Sequence, residues 1–213
     1  MNTQSQNLRK SNLLITGGHS DLAKYLVTVL NEKFKIYSPS RDEMDVTSIS
    51  SVSNYVLGKN FDVVINAAGT LYSSDVIDSE PEKWIRDINV NLIGTYLVCR
   101  ALLQKNPKCR ILNIASTAGF NCYQDWTSYC ASKAGVIKLS GGLFKNGFDI
   151  ITLCPGAIAT KLRNNLKISN QNVMTIQEGC EPIIDALYSK YKSGDVILYR
   201  KNNLKVVDYN YHE

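Results

Sequence analysis

A phenol and an ammonium four residues apart are the first chemistry legible in this chain. Tyr129 and Lys133 stand at i and i+4, so on a helix they share one face. A nearby cation stabilises phenolate and lowers a tyrosine from its ordinary value of about 10. A tyrosine tuned in this way serves as a general acid/base near neutrality. Ser116 lies thirteen residues earlier, at the end of the run Ile111-Leu112-Asn113-Ile114-Ala115. A hydroxyl there can donate to a carbonyl oxygen that gains negative charge. The spacing alone is weak evidence, because Tyr55/Lys59 and Tyr188/Lys192 repeat it and read as solvated helix faces. Only the Tyr129 copy follows a strand-end serine, has small neighbours, and precedes a strand ending in Cys154-Pro155-Gly156-Ala157-Ile158-Ala159-Thr160.

A second group of residues suits phosphate. The first apolar run leads into Thr16-Gly17-Gly18-His19-Ser20-Asp21-Leu22-Ala23. A glycine turn between strand and helix lets backbone N–H groups face a pyrophosphate. A tight turn capped by Ser20 or Asp21 is the plainer reading of the same residues. Asn66-Ala67-Ala68-Gly69 places small residues at another strand end, which leaves room for a ligand or for close backbone packing.

These residues need elements to position them. Apolar runs at 13–16, 35–38, 63–66, 111–114, 150–153 and 196–199 predict strands buried on both faces of a parallel sheet. Helical spacing covers 21–31, 49–58, 82–106, 128–144 and 176–191. In the third of these, Ile85, Ile88, Leu92, Tyr96 and Val98-Cys99 form an apolar stripe that ends before Pro107. The alternation predicts one α/β domain over 1–213, with a core of 11–200, as a three-layer doubly wound parallel sheet of about six strands. Only six residues separate Ser38 from Asp45, too few for a parallel crossover, so the third strand of such a sheet is expected to be reduced or missing.

In this order the segments resemble the short-chain dehydrogenase/reductase family over about residues 11–160. The carriers are Thr16-Gly17, Asp45-Val46, Asn66-Ala67-Ala68-Gly69, Asn89-Val90-Asn91-Leu92, Ser116, Tyr129-x-x-x-Lys133 and Pro155-Gly156. The resemblance implies a Rossmann-like fold and hydride exchange between a nicotinamide cofactor and a carbonyl/alcohol pair. It implies that Tyr129 moves the proton, Lys133 tunes it and holds the nicotinamide ribose, Ser116 polarises the carbonyl, and Asn91 kinks its helix and supports a water relay. Thr16, Gly17, His19, Ser20, Asp21 and Leu22 would surround the pyrophosphate. Asp45 and Val46 would flank the adenine, the Asn66–Gly69 turn would pass along the cofactor, and Ile158 and Thr160 would touch the carboxamide after the cofactor-binding Pro155-Gly156 turn. The second strand ends in Ser40-Arg41, where an acid would select NAD(H) and an arginine attracts a 2′-phosphate, so NADP(H) is expected over NAD(H). Arg41 paired with Asp42 or Glu43 is the plainer reading. Asp21 and Ala23 stand where the family has glycines. The resemblance also implies a homodimer through the helix carrying Lys133, but Gly141-Gly142 and Asn146-Gly147 are expected to cut that helix short.

A dinucleotide-binding module without turnover is the alternative, motivated by Asp21, the lost strand and the shortened helix. A nucleotide-sugar epimerase ranks lower, because only about fifty residues follow Thr160. Residues 161–175 read as a lid over the substrate, whose Lys161, Arg163 and Lys167 fit an anionic or phosphorylated substrate or, as readily, a solvated polar loop, and Phe120, Tyr123 and Trp126 either line the pocket or pack the loop between Ser116 and Tyr129. The net charge of +5 is dispersed, which argues against nucleic acid. No apolar run approaches a membrane span. The polar N-terminus reads as no secretion signal, and six scattered cysteines read as reduced, mostly buried thiols, so a cytoplasmic location is expected.

Overall fold

Strand β1 (Ser11–Ile15) shows how the layers arise. Successive side chains of a strand point to opposite faces. Leu13 and Ile15 enter one core with Leu26, Leu30 and Ile183, while Leu14 enters the other with Val52, Val98 and Leu102. Both faces are therefore apolar, and so the run is continuous instead of alternating. The computed structural model describes residues 10–164, 166 and 170–209. Lys167 of the expected lid lies outside them, as do residues 165, 168 and 169.

Beyond β1 the chain forms β2 (Phe34–Tyr37), β3 (Val63–Asn66), β4 (Arg110–Ile114), β5 (Ile150–Pro155), β6 (Val196–Arg200) and β7 (Asn203–Val207). The helices are α1 (Asp21–Leu30), α2 (Ile49–Val56), α3 (Pro81–Ile88), α4 (Gly94–Lys105), α5 (Thr127–Lys145) and α6 (Ile176–Leu187). One sheet has the order β2-β1-β3-β4-β5-β6-β7, parallel except for the last pair. This is the doubly wound α/β fold read from the sequence. Its edge at β2 is where the missing strand would have continued, and Met44 and Val46 of the short connection are buried in the core beside α2.

Three details correct the sequence reading. Among the described residues there are seven strands rather than about six. The added β7 folds back from β6 through Lys201 and Asn202, and Asn202 takes the left-handed conformation (φ 58°) that asparagine tolerates. Secondly, α5 is not cut short at Gly141-Gly142. It runs 19 residues and ends at Asn146, before Gly147 (φ 87°). A Cβ at Gly141 would lie 3.0 Å from the Tyr209 ring, so that glycine admits the C-terminal segment against the helix. Thirdly, Ile85 and Tyr96 are exposed rather than on a buried stripe. The inward positions are Asp87, Asn91, Thr95, Val98 and Leu102, because this helix turns its polar residues toward the crevice end of the sheet.

Candidate active site

Ser116 follows β4, and the short 3-10 turn Thr117–Gly119 lays this segment on α5. A Cβ at Gly119 would lie 2.7 Å from Ile137 Cδ1 and 3.0 Å from the Ala134 amide nitrogen, so only a glycine lets the turn come this close. The Ser116 hydroxyl donates to the Pro155 carbonyl at 3.3 Å and lies near enough to the Tyr129 phenol to act on its titration. Lys133 Nζ lies 5.6 Å from the Tyr129 ring centroid and donates to the Ile114 carbonyl at 2.8 Å. The three groups expected to act together are thus neighbours at the C-terminal ends of β4 and β5.

Asn91 sits one layer behind. Residues Asn89–Ile93 form a single π-helical turn between α3 and α4. That turn is the kink expected of Asn91, and π-turns favour functional sites because the extra residue re-aims a side chain. Gly135 on α5 lets Leu92 pack against it, which brings the π-turn alongside the Tyr129–Lys133 face. Asn91 Oδ1 accepts from the Thr70 amide at 2.8 Å, and its Nδ2 donates to the Thr70 carbonyl at 2.9 Å and to Ser132 Oγ at 3.0 Å. A Cβ at Gly69 would lie 3.3 Å from Asn91 Oδ1 and 3.9 Å from Lys133 Nζ. Asn91 thus fixes the Gly69-Thr70 backbone next to the lysine.

Burial dominates the electrostatics. It pushes the Tyr129 phenol up to about 12, with the Ser116 hydrogen bond acting in the opposite direction. It pulls Lys133 down to about 8. The lowering of Tyr129 expected from its lysine does not emerge here: taking the phenolate out of water raises the phenol by more than the Ser116 hydrogen bond lowers it. The phenol is held neutral, which is the form that can give a proton to an oxygen.

The glycine turn meets the expected contacts in part. Gly17 has φ 74°, and a Cβ on it would lie 2.8 Å from Ala68 Cα. Glycine is required there by both backbone conformation and space. Ser20 caps α1 by accepting from the Ala23 amide at 3.2 Å, so the first-turn amides of Asp21 and Leu22 keep no partner within the helix. Asp21, standing where a glycine was expected, turns its carboxylate to the Lys161 amide at 2.6 Å. Gly17, His19, Ser20, Asp21, Leu22 and Arg41 line one crevice of about 700 Å³ together with Ala67, Ala68, Gly69, Ser116, Tyr129, Lys133, Pro155, Gly156, Ile158 and Thr160.

Five expected residues lie off the crevice wall. Asn91 is placed as described above. Thr16 accepts from the Ala67 and Ala68 amides, both at 3.0 Å, and so ties the two turns together. Asn66 points inward and donates to Asn113 Oδ1 at 2.8 Å. Asp45 accepts from the Thr47 amide and hydroxyl and pairs with Arg41 at 3.3 Å, while Val46 is buried against Gly94. Arg41 therefore pairs with Asp45 and not with Asp42 or Glu43. Glu43 instead accepts from the Ser40 amide, which lowers its carboxyl.

Sequence reasoning missed Asp87. This fully buried carboxylate accepts from Thr70 Oγ1 at 2.7 Å, the Tyr72 amide at 2.8 Å and Ser128 Oγ at 2.8 Å. It joins the loop after Gly69 to the residue preceding Tyr129. Tyr123 and Trp126, 4.7 Å apart between ring centroids, line the crevice as expected of the aromatics there; Phe120 instead packs beside Val136 and Ile137.

The cradle fits a dinucleotide: two glycine-bearing turns back to back, unpartnered helix amides, an arginine at one end and a phenol–ammonium–hydroxyl group in the middle. Among the described residues no helix is long and apolar enough to cross a membrane. A family model described as short chain dehydrogenase matches residues 11–171. An uncharacterized oxidoreductase of Staphylococcus aureus (strain N315) is 29% identical over 150 residues, covering 67% of this chain and 64% of that protein. The match thus spans less than two thirds of that relative's length. A short chain dehydrogenase from Burkholderia cenocepacia J2315, solved in complex with NADP, superposes with a TM-score of 0.75 at 23% identity over 86% of each chain. A small-chain dehydrogenase in complex with NADPH gives 0.79 at 17% identity, covering 90% of this chain and 97% of that one. At such identities the superpositions speak to the fold, and the sequence match speaks to descent. A match running from the first residue of β1 past the 161–163 turn makes this chain a member of the short chain dehydrogenase family.

Proposed function

We propose that this chain is an NADP(H)-dependent oxidoreductase that interconverts a carbonyl and an alcohol. The observation that carries the proposal is the meeting of Ser116, Tyr129 and Lys133 in the same crevice as the Gly17 turn. When bound, the nicotinamide supplies or accepts the hydride. Ser116 orients the substrate oxygen, and Tyr129, neutral in its buried place, delivers the proton to that oxygen. Lys133 supplies positive charge to the phenolate left behind and faces the space that the ribose would fill. Asn91 and Asp87 keep the backbone around these groups in place.

NADP(H) is preferred over NAD(H) because Arg41 lines the crevice beside the end of β2. Its side chain is 78% exposed, and its ion pair with Asp45 is long. An exposed pair of this kind contributes only about 0–1 kcal/mol, so a 2′-phosphate can take over the guanidinium at little cost. The reading without turnover loses two of its three motives, since Asp21 is turned to Lys161 and α5 keeps 19 residues. A homodimer belongs to the same proposal, supported by the exposed Ile85 of α3, Ile93 of the π-turn and Tyr96 of α4. So does a cytoplasmic location, supported by six free cysteines, four of them buried.

The test is NADPH consumption against a panel of aldehydes and ketones, followed at the nicotinamide absorbance. Turnover should be present in the wild type and fall by roughly 10²–10⁴-fold in Tyr129→Phe, with NADPH affinity retained. Equal turnover in the variant would remove the assigned role.

A further inference from the structure

The crevice has cationic side chains at both ends, and the dinucleotide accounts for only one of them. Arg41 stands beside β2 at one edge of the sheet, while Arg200 ends β6 on the far side of β5. Both line the same cavity. From β1, where the glycine turn is, to β6 is four strand spacings, roughly 19 Å. A phosphate held at the glycine turn cannot touch Arg200. The nicotinamide end of a dinucleotide placed along Ser116 and Tyr129 carries a neutral carboxamide and needs no guanidinium.

Arg200 is held close to the reacting groups. A Cβ at Gly156 would lie 2.8 Å from Arg200 Cγ, so glycine there gives the arginine stem its seat. Gly156 in turn follows Pro155, whose carbonyl accepts from Ser116. Among the described residues the Arg200 guanidinium has no hydrogen-bond or ion-pair partner, and neither has that of Arg163, which lines the same cavity. The acidic groups nearby are committed. Asp21, the acid on the cavity wall, binds the Lys161 amide, and Glu178, which acts on the neighbouring Lys201, binds the Thr175 amide at 2.7 Å. Leu71, Tyr123, Trp126 and Leu162 add apolar and aromatic surface to the same cavity, beside the polar Asn170 and Asn172.

We infer that Arg200 forms an oxyanion subsite, so that the substrate is a carbonyl compound bearing a carboxylate or phosphate group. This inference deepens the oxidoreductase reading and rests on it for the reacting carbon. A guanidinium offers two parallel N–H donors that match either anion. The subsite also orients the substrate, because an anion fixed at β6 turns the carbonyl toward Ser116 and Tyr129.

The test separates binding from turnover. Enzyme saturated with NADP⁺ is titrated calorimetrically with phenylpyruvate and its methyl ester, and with dihydroxyacetone phosphate and dihydroxyacetone. The better anion should bind at least about tenfold more tightly than its neutral partner, as a charge-assisted hydrogen bond allows. Whichever anion shows the larger ratio identifies carboxylate or phosphate. Arg200→Met keeps the stem against Gly156 and should reduce the ratio to near one. Arg200→Gln repeats the test if methionine disturbs β6. Equal binding of acid and ester and of phosphate and diol, or a ratio unchanged in both variants, would overturn the subsite. Turnover of neutral ketones that depends on Tyr129, without any anion preference, would sink the subsite and leave the oxidoreductase standing. Anion-selective binding lost in Arg200→Met, with no NADPH consumed by any compound, would do the reverse.

Discussion

Replacing Lys133 by methionine should make the protein more stable at neutral pH and less stable at high pH. Lys133 is 5% exposed, and burial lowers it from 10.5 to about 8. A depression of that size corresponds to roughly 3 kcal/mol, the cost of holding an ammonium in a dry site. Methionine removes that cost and fills much of the same volume. It also removes the 2.8 Å donor to the Ile114 carbonyl, a loss of about 1–2 kcal/mol. The net gain at pH 7 is about 1–2 kcal/mol, or a Tm rise of roughly 2–6 °C for a chain of this length. Between pH 8 and 10.5 the folded wild type releases the Lys133 proton while the unfolded chain retains it. The unfolded state then binds more protons, so wild-type stability rises relative to the variant across this window. By pH 10.5 the order should invert, leaving the variant about 1–2 kcal/mol less stable. Urea unfolding of both proteins at pH 7 and pH 10.5 measures this directly, and other titrating groups cancel in the difference. A stability gap that does not change between the two pH values would refute the reasoning that burial, and not an ion pair, sets the state of Lys133.

Asp87→Asn keeps the shape of a buried side chain but turns an NH₂ toward one of three donors, from Thr70, Tyr72 and Ser128. A loss of about 2–3 kcal/mol is expected, lowering Tm by roughly 5–10 °C, with kcat falling more than cofactor affinity; an unchanged melting curve would contradict the role given to this carboxylate. Arg41→Glu should weaken NADPH binding by about 10–100-fold and leave NADH binding nearly unchanged or improved, as titration of nicotinamide fluorescence would show. Gly17→Ala should abolish dinucleotide binding and lower stability, because its φ of 74° and its contact with Ala68 both exclude a Cβ; normal NADPH binding in a folded variant would show that the turn does not cradle the cofactor.

The sheet was legible because five of its strands are apolar on both faces, and that pattern has few other uses. The proposed catalytic set could be picked out because order along the chain carries what spacing alone does not: Tyr55 and Tyr188 share the Tyr129 spacing and lack its strand-end serine. What could not be read was the direction of individual side chains. Thr16 and Asn66 stand in ligand-facing turns, yet one side chain bonds the neighbouring turn and the other points into the core. Nothing in Glu82-Lys83-Trp84-Ile85-Arg86-Asp87 marks the last carboxylate as buried, since its three partners are distant in sequence. β7 left only the short alternation Leu204-Lys205-Val206, and its residues are mostly exposed, so that pattern does not stand out from a polar tail. Gly141-Gly142 read as a helix break because the local cost of glycine is visible in sequence, whereas the Tyr209 ring that uses the space is not.

The central claim is that hydride passes between a nicotinamide and a substrate carbon held at Ser116 and Tyr129. NADPH deuterated at the transferring C4 position, incubated with the enzyme and a reducible carbonyl compound, tests it by mass spectrometry of the product. The account predicts one deuterium on the new carbinol carbon with wild type and almost none with Tyr129→Phe. Product alcohol without the label, or equal labelling by the variant, would contradict it.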